Sequence, residues 1–131
     1  MRKKLIFVAL VSALVLSACG DKAVSVTNLG PTDFQTKSQT AGVVTIDVRT
    51  PDEYNAGHIK GAINIDVDSA TFDSDISKLN KSTTYAVYCH SGRRSGIATE
   101  KMAKTKFTSI FNLADGIQVW MASGLPLVRT T

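Results

Sequence analysis

The sequence predicts a single α/β domain with a parallel central sheet flanked by helices on both faces. Short runs rich in β-branched and aromatic residues alternate with stretches of helical spacing, the pattern of strand, crossover helix and parallel strand. The run Val43-Val44-Thr45-Ile46-Asp47-Val48 is apolar at nearly every position, as an interior strand covered on both faces must be. At 131 residues, 44% hydrophobic and 20% charged, the chain has material for one core and no more.

Taken in order, residues 24–27 read as a short first strand. Gly30-Pro31-Thr32-Asp33-Phe34 opens a helix, with Pro31 at its first position and an end near Gly42. Residues 43–48 form the interior strand, with Asp47 near its carboxyl end. Pro51 opens a helical turn that Gly57 closes, and a strand over 62–65 follows the bend at Gly61. Phe72, Ile76 and Leu79 are spaced for a helix over 69–79. Residues 85–88 are the next strand, and Ser95 stands where a helix N-cap belongs. Ile97, Ala98, Met102 and Ala103 would face the sheet from that helix. Residues 109–113 are the last strand, and 114–124 a final helix ended by Gly124, with Pro126 beyond it and Trp120 in the core. Repeats and low-complexity tracts are absent, so 24–131 is expected to be one domain.

The chemistry is expected where residues 85–88 run into Cys89-His90-Ser91-Gly92-Arg93-Arg94-Ser95. A cysteine at the carboxyl end of a parallel strand meets the unpaired N–H groups and positive dipole of the next helix. Free cysteine titrates near ~8.5, and such surroundings lower it, favouring the thiolate that acts as nucleophile. Successive N–H groups in a short loop make a nest for negative charge on the sulfur or on a bound anion. A lone strand cysteine is more often a buried structural residue. Here Gly92, Arg93 and Arg94 argue for an open, electropositive setting.

The first residues read as an address. Met1-Arg2-Lys3-Lys4 is a positive n-region, residues 5–16 an apolar h-region, and small residues follow at Ser17 and Ala18, which is the secretory signal pattern. The run meets Gly20 and Asp21 before reaching the roughly 20 residues that a transmembrane helix needs. Leu16-Ser17-Ala18-Cys19 resembles the bacterial lipoprotein box, which implies a signal peptide over 1–18, lipidation at Cys19 and a tether over 19–23. The protein would then be exported and anchored at the cell envelope, with Cys89 as its one free thiol. No internal disulfide could then form, which argues against a self-contained dithiol redox enzyme. Without Arg2, Lys3 and Lys4, twelve basic residues face eleven acidic ones, which argues against nucleic acid as a partner.

Two stretches carry a family resemblance that spans about 24–128. Cys89-x-x-Gly92-x-Arg94-Ser95 resembles the active-site loop of the rhodanese-type sulfurtransferases. Asp47-x-Arg49, Glu53-Tyr54 and Gly57-His58-Ile59-x-Gly61-Ala62-x-Asn64 match the same family at every motif position. Ile117, Trp120, Gly124 and Pro126 follow its closing pattern. The resemblance implies a rhodanese-like fold and double displacement through a Cys89 persulfide, with thiosulfate or a similar anion as donor and cyanide, a thiol or a protein as acceptor. The loop residues His90, Ser91, Gly92, Arg93, Arg94 and Ser95 would hold substrate and persulfide, and no cofactor is implied. Asp47, Arg49, Glu53 and His58 would be support, with Arg49 and Glu53 as an ion pair and His58 as a hydrogen-bonded structural histidine. No residue set suggests a metal. A persulfide carrier or sulfur-species sensor for a protein partner is the alternative, and a cysteine phosphatase or arsenate reductase is a further one. Three positions depart from the pattern: His90 where many members have arginine, Lys106 where glycine is usual, and Asp115 in place of a glycine. Lys106 is therefore expected to adopt, or sit beside, a left-handed backbone conformation.

Overall fold

The computed structural model describes residues 24–131. The expectations for the signal peptide, Cys19 and the tether lie outside them. Ten elements alternate: β1 (Val26–Leu29), α1 (Pro31–Ser38), β2 (Val43–Asp47), α2 (Pro51–Ala56), β3 (Ile63–Asn64), α3 (Phe72–Ser77), β4 (Thr84–Tyr88), α4 (Arg93–Lys104), β5 (Ser109–Leu113) and α5 (Ile117–Ala122). The strands make one sheet in the order β1-β5-β4-β2-β3, with every pairing parallel.

Side-chain alternation along β4 divides the core in two. Tyr85, Val87 and Cys89 point to the face covered by α3 and α4, where Phe72, Ile76, Ala98 and Met102 pack on them. Ala86 and Tyr88 point to the opposite face, against Phe34 of α1 and Ile117 and Trp120 of α5. Phe34 meets both Tyr88 and Trp120 edge-on, with ring centroids 6.2 Å and 6.4 Å apart. The helices thus lie on both faces, as the continuous apolar strands require.

Several boundaries differ from the sequence reading. β1 starts at Val26, because its pairing with β5 runs Val26 to Ile110 through Leu29 to Leu113. β3 keeps only two residues, since as an edge strand it meets only the end of β2. α3 is shorter than 69–79, with turns on both sides. α5 begins at Ile117, three residues later than expected, because Gly116 at φ 77 breaks the helical path. Ile97 is 41% exposed, and α4 buries Ser95, Ala98, Thr99 and Met102 instead. Lys106 has φ 68, the left-handed conformation expected of it.

Register sets the site. β2 and β4 pair from Val43 with Thr84 to Asp47 with Tyr88, and the Val48 N–H donates to the Tyr88 carbonyl at 3.0 Å. The two interior strands therefore end level, and the segments leaving them, Arg49 to α2 and Cys89 to α4, emerge side by side at the carboxyl end of the sheet. In open α/β sheets that end is where ligands bind.

Candidate active site

The loop after β4 is short because α4 begins early. Ser95 is not its N-cap. The helix starts at Arg93 and Gly92 is the cap, at φ 97, a conformation that side chains disfavour. Gly92 is forced on a second count, since a Cβ there would overlap the Ala114 carbonyl oxygen. Gly116 answers from the other side: its own Cβ would collide with the His90 carbonyl. The Ile117 and Gln118 N–H groups donate to the Cys89 and His90 carbonyls at 2.8 Å and 3.2 Å. The first turn of α5 thus holds the outward-facing carbonyls and leaves the loop's N–H groups turned inward.

Those N–H groups meet the sulfur. The Gly92 N–H donates to Cys89 Sγ at 3.1 Å. The thiol donates to Ser95 Oγ at 3.4 Å, and the Ser95 hydroxyl donates to the Gly92 carbonyl at 3.2 Å. Burial pushes the Cys89 thiol up, but the Ser95 hydroxyl and the N–H groups of Ser95, Gly92 and Ser91 outweigh it, so that its pKa falls below the ordinary thiol range. The open setting expected for Cys89 is corrected: the residue is 1% exposed. Its place on the α3–α4 side of β4 tucks Sγ under the first turn of α4. The inertness expected of a buried cysteine does not follow, because backbone N–H groups are aimed at the sulfur and the Ser95 hydroxyl beside it can turn to donate once the thiol is ionised.

The two arginines of the loop diverge. Arg93 and His90 are exposed, as is Ser91. Arg94 turns across to α2 and grips Glu53 with both ends of its guanidinium, Nη1 to Oε2 and Nη2 to Oε1, each at 2.8 Å. Beside Arg94, the Glu53 carboxyl is held down to about 2. Glu53 also closes a capping box on α2: its carboxylate accepts from the Thr50 N–H at 3.0 Å and hydroxyl at 2.9 Å, and Thr50 Oγ1 accepts from the Glu53 N–H at 3.3 Å.

The expected Arg49–Glu53 ion pair is therefore wrong on both partners. Arg49 folds back on Asp47 two residues before it, with Nε at 3.0 Å from Oδ1 and Nη2 on Oδ2 at 2.6 Å. It reaches the Gly57 carbonyl as well, at 2.6 Å. Extended backbone places residues i and i+2 on the same side, so the nearer carboxylate takes the buried guanidinium. Asn64 clamps the same corner by donating to the Asp47 and Arg49 carbonyls at 3.0 Å and 2.8 Å. His58 is buried, stacks on Tyr54 at a centroid distance of 3.8 Å, and directs Nδ1–H at the Tyr54 carbonyl, 2.8 Å away. Those contacts give His58 architecture to do, away from the sulfur.

Three contributors escaped the sequence reading. Tyr88 Oη accepts the Ile59 N–H at 3.0 Å, tying the loop after α2 to β4. Gly116 is a steric partner of the active loop, which its φ and neighbours reveal only in three dimensions. Thr50-Pro51-Asp52-Glu53 spells the capping box in plain sequence, and this signal was open to reading.

A rhodanese-like domain model matches residues 30–123. An uncharacterised protein of Synechocystis is 31% identical over 102 residues, covering 78% of this chain and 56% of its own length. The thiosulfate sulfurtransferase PspE of Escherichia coli is 37% identical over 67 residues, 51% of this chain and 64% of its own. The chain spans a little over half the length of these curated relatives. Among solved structures, a rhodanese-related protein of Thermoplasma volcanium superposes with a TM-score of 0.70 at 27% identity, over 79% of this chain and 99% of its own. A strand-end cysteine in a loop of inward N–H groups, on a five-stranded parallel sheet, defines an α/β domain built to hold a thiol at the carboxyl end of its sheet. The chain belongs to the rhodanese-like family, and its relatives include sulfurtransferases.

Proposed function

We propose that the protein transfers sulfane sulfur through Cys89. The Cys89 thiolate attacks the outer sulfur of thiosulfate or a similar donor; the S–S bond of the donor breaks, sulfite leaves with the electron pair, and a Cys89 persulfide remains. Cyanide or a thiolate then attacks the terminal sulfur and regenerates the thiolate. The observation that carries this reading is the convergence of the Gly92 N–H and the Ser95 side chain on Cys89 Sγ, at 3.1 Å and 3.4 Å. A nest of this size suits one sulfur atom and its charge.

The same site argues against phosphoryl chemistry. Four residues separate Cys89 from Arg94, fewer than a loop needs to wrap a tetrahedral oxyanion. Arg94, the residue that would grasp phosphoryl oxygens, already has both ends on Glu53. The carrier reading, in which sulfur passes to one protein partner, draws support from the same engagement. With Arg94 neutralised, Arg93 is the loop arginine without a carboxylate partner among the described residues, so the pull on small dianions is modest.

Thiosulfate incubation should add one sulfur to Cys89 by intact mass, and cyanide should remove it with release of thiocyanate. Cys89→Ser should lose both. Phosphate release from aryl phosphates that depends on Cys89, without sulfur transfer, would replace this reading with the hydrolytic one. Repeated turnover with small donors and acceptors separates enzyme from carrier. We further propose export and lipid anchoring at Cys19. Cys19→Ala should release or mislocalise the protein, and a variant still processed and membrane-bound would exclude that anchor.

A further inference from the structure

The charges of the domain are sorted by end. At the carboxyl end of the sheet, around Cys89, seven carboxylates face three arginines: Asp33 opens α1, Asp47, Asp52 and Glu53 surround the β2–α2 turn, Asp66 and Asp68 follow β3, and Asp115 precedes α5. The opposite end, where the strands begin, holds all seven lysines of residues 24–131. Lys78 and Lys81 lie between α3 and β4, Lys101 and Lys104 end α4, and Lys106 precedes β5. Lys37 ends α1, and Lys60 precedes β3 beside Gln39. Three carboxylates offset them, Asp73, Asp75 and Glu100, each held by one lysine. With Arg129 set apart, between Val128 on His58 and Thr130 on Asn55, the base is net positive by four charges and the active end net negative by four.

The described chain also begins at that base. β1 is parallel to β5, so Val24 leaves from the strand starts, beside Thr108 and Ser109. Thr108 in turn donates from N–H and hydroxyl to the Lys81 carbonyl, at 3.1 Å and 3.2 Å. Lys81 also borders a cleft of about 410 Å³ shared with Lys101, Lys104 and Thr105. The point of attachment and the richest part of the lysine patch are therefore neighbours. The side chains of Lys78 and Lys104 are 74% and 71% exposed, and their ion pairs with Asp75 and Glu100 lie at the surface, where an anionic surface can compete for the ammonium groups.

From this we infer that the lysine-bearing base is a docking face for an anionic phospholipid bilayer, which seats the domain with Cys89 pointing away from the membrane. The inference rests on the proposed anchor at Cys19. From residue 19 to residue 24 is five steps, a reach of at most ~18 Å. The field of an anionic bilayer acts within a Debye length, roughly 10 Å at ~0.1 M salt. A short tether delivers the base into that range and keeps it there. Each lysine near such a surface strengthens binding roughly fivefold at low salt, whereas the acidic active end is repelled.

The test is amine footprinting of the full-length protein carrying Gln118→Lys, reconstituted in vesicles with or without phosphatidylglycerol in phosphatidylcholine. Gln118 is exposed beside the active loop and gives that end an amine to report. In anionic vesicles, acetylation of Lys78, Lys104 and Lys106 should slow at least fivefold relative to neutral vesicles, and ~0.5 M salt should abolish the difference; the amine introduced at 118 should label equally in both. Equal labelling of all four in both vesicles, or protection at 118 instead, would overturn the inference. The mass of the N-terminal peptide reads the anchor separately. Protected lysines on a chain without lipid at Cys19 would uphold the face and discard the anchor; a lipidated chain with unprotected lysines would do the reverse. Lys78→Gln/Lys104→Gln/Lys106→Gln should lower binding to anionic vesicles and leave sulfur transfer to small acceptors unchanged.

Discussion

Two arginine–carboxylate pairs stand within one corner of the domain, both bidentate, Arg49 side-on through Nε and Nη2 and Arg94 end-on through its two Nη atoms, and different in role. Arg49–Asp47 is sealed, with side chains 7% and 0% exposed; Arg94–Glu53 sits at the rim, 18% and 35% exposed. The first joins residues two apart and stays within the strand end. The second spans 41 residues and joins α2 to the loop that carries Cys89. A sealed pair is costly to break because one charge is left stranded without water. A rim pair has water as a substitute, and its value lies in what it positions. The contrast teaches that the same chemical pairing serves the fold in one place and the site in the other.

The largest expected effect is on the sealed pair. Asp47→Ala should destabilise the domain by about 3–5 kcal/mol in urea denaturation, since Arg49 would remain buried and unpaired. Asp47→Leu combined with Arg49→Met should recover part of that loss. Glu53→Gln should act the other way round: a stability loss of no more than about 1 kcal/mol, but a fall in sulfur transfer of about tenfold, equal to ~1.4 kcal/mol on the barrier. A Glu53 variant that loses more stability than Asp47→Ala would erase the distinction.

How much of this was legible follows the range of each interaction. The strand-loop-helix around Cys89 and the alternation of strand and helix patterns rest on neighbours within a few residues, and periodicity exposes them; the conformation at Lys106 was legible only through the resemblance, whose usual glycine the lysine replaces. The partners of Arg49 and Arg94 do not. With Asp47, Glu53 and both arginines in view, sequence offers several pairings, and only the level ends of β2 and β4 decide among them. The depth of Cys89 was hidden for a related reason. Charged neighbours suggest exposure, yet Arg93 and Arg94 point out and across while the sulfur follows the alternation of its strand. Ser95 was misplaced as a cap because Gly92 starts the helix earlier, which turns the serine toward the sulfur.

A smaller effect sharpens the comparison through pH. The carboxyl of Glu53 is held below its ordinary value of ~4.3, down to about 2, so the stability it contributes is complete above the ordinary value and declines as pH falls toward 2. The stability gap between the parent and Glu53→Gln should be constant from neutral pH to about 5, then close between about 4 and 2. A gap that persists unchanged at pH 2 would mean that the ion pair does not stabilise through its charge. The smallest effect belongs to a site that touches neither pair. Lys106→Gly should be neutral or stabilising by up to about 1 kcal/mol in thermal melts, because glycine adopts φ near 68 without the side-chain penalty. A clear loss would show that the lysine side chain contributes more than its backbone costs.

The clasp between Gly116 and the active loop makes the loop's shape depend on α5. The Cys89 and His90 carbonyls accept from the Ile117 and Gln118 N–H groups, and the loop closes against Ala114 and Gly116. The groups around the sulfur belong to the loop and to α4, so α5 acts on them only through the backbone it fixes. A chain cut short before α5 is therefore expected to keep Cys89 and lose the fixed loop around it, which a thiol titration would read as a pKa nearer the ordinary value.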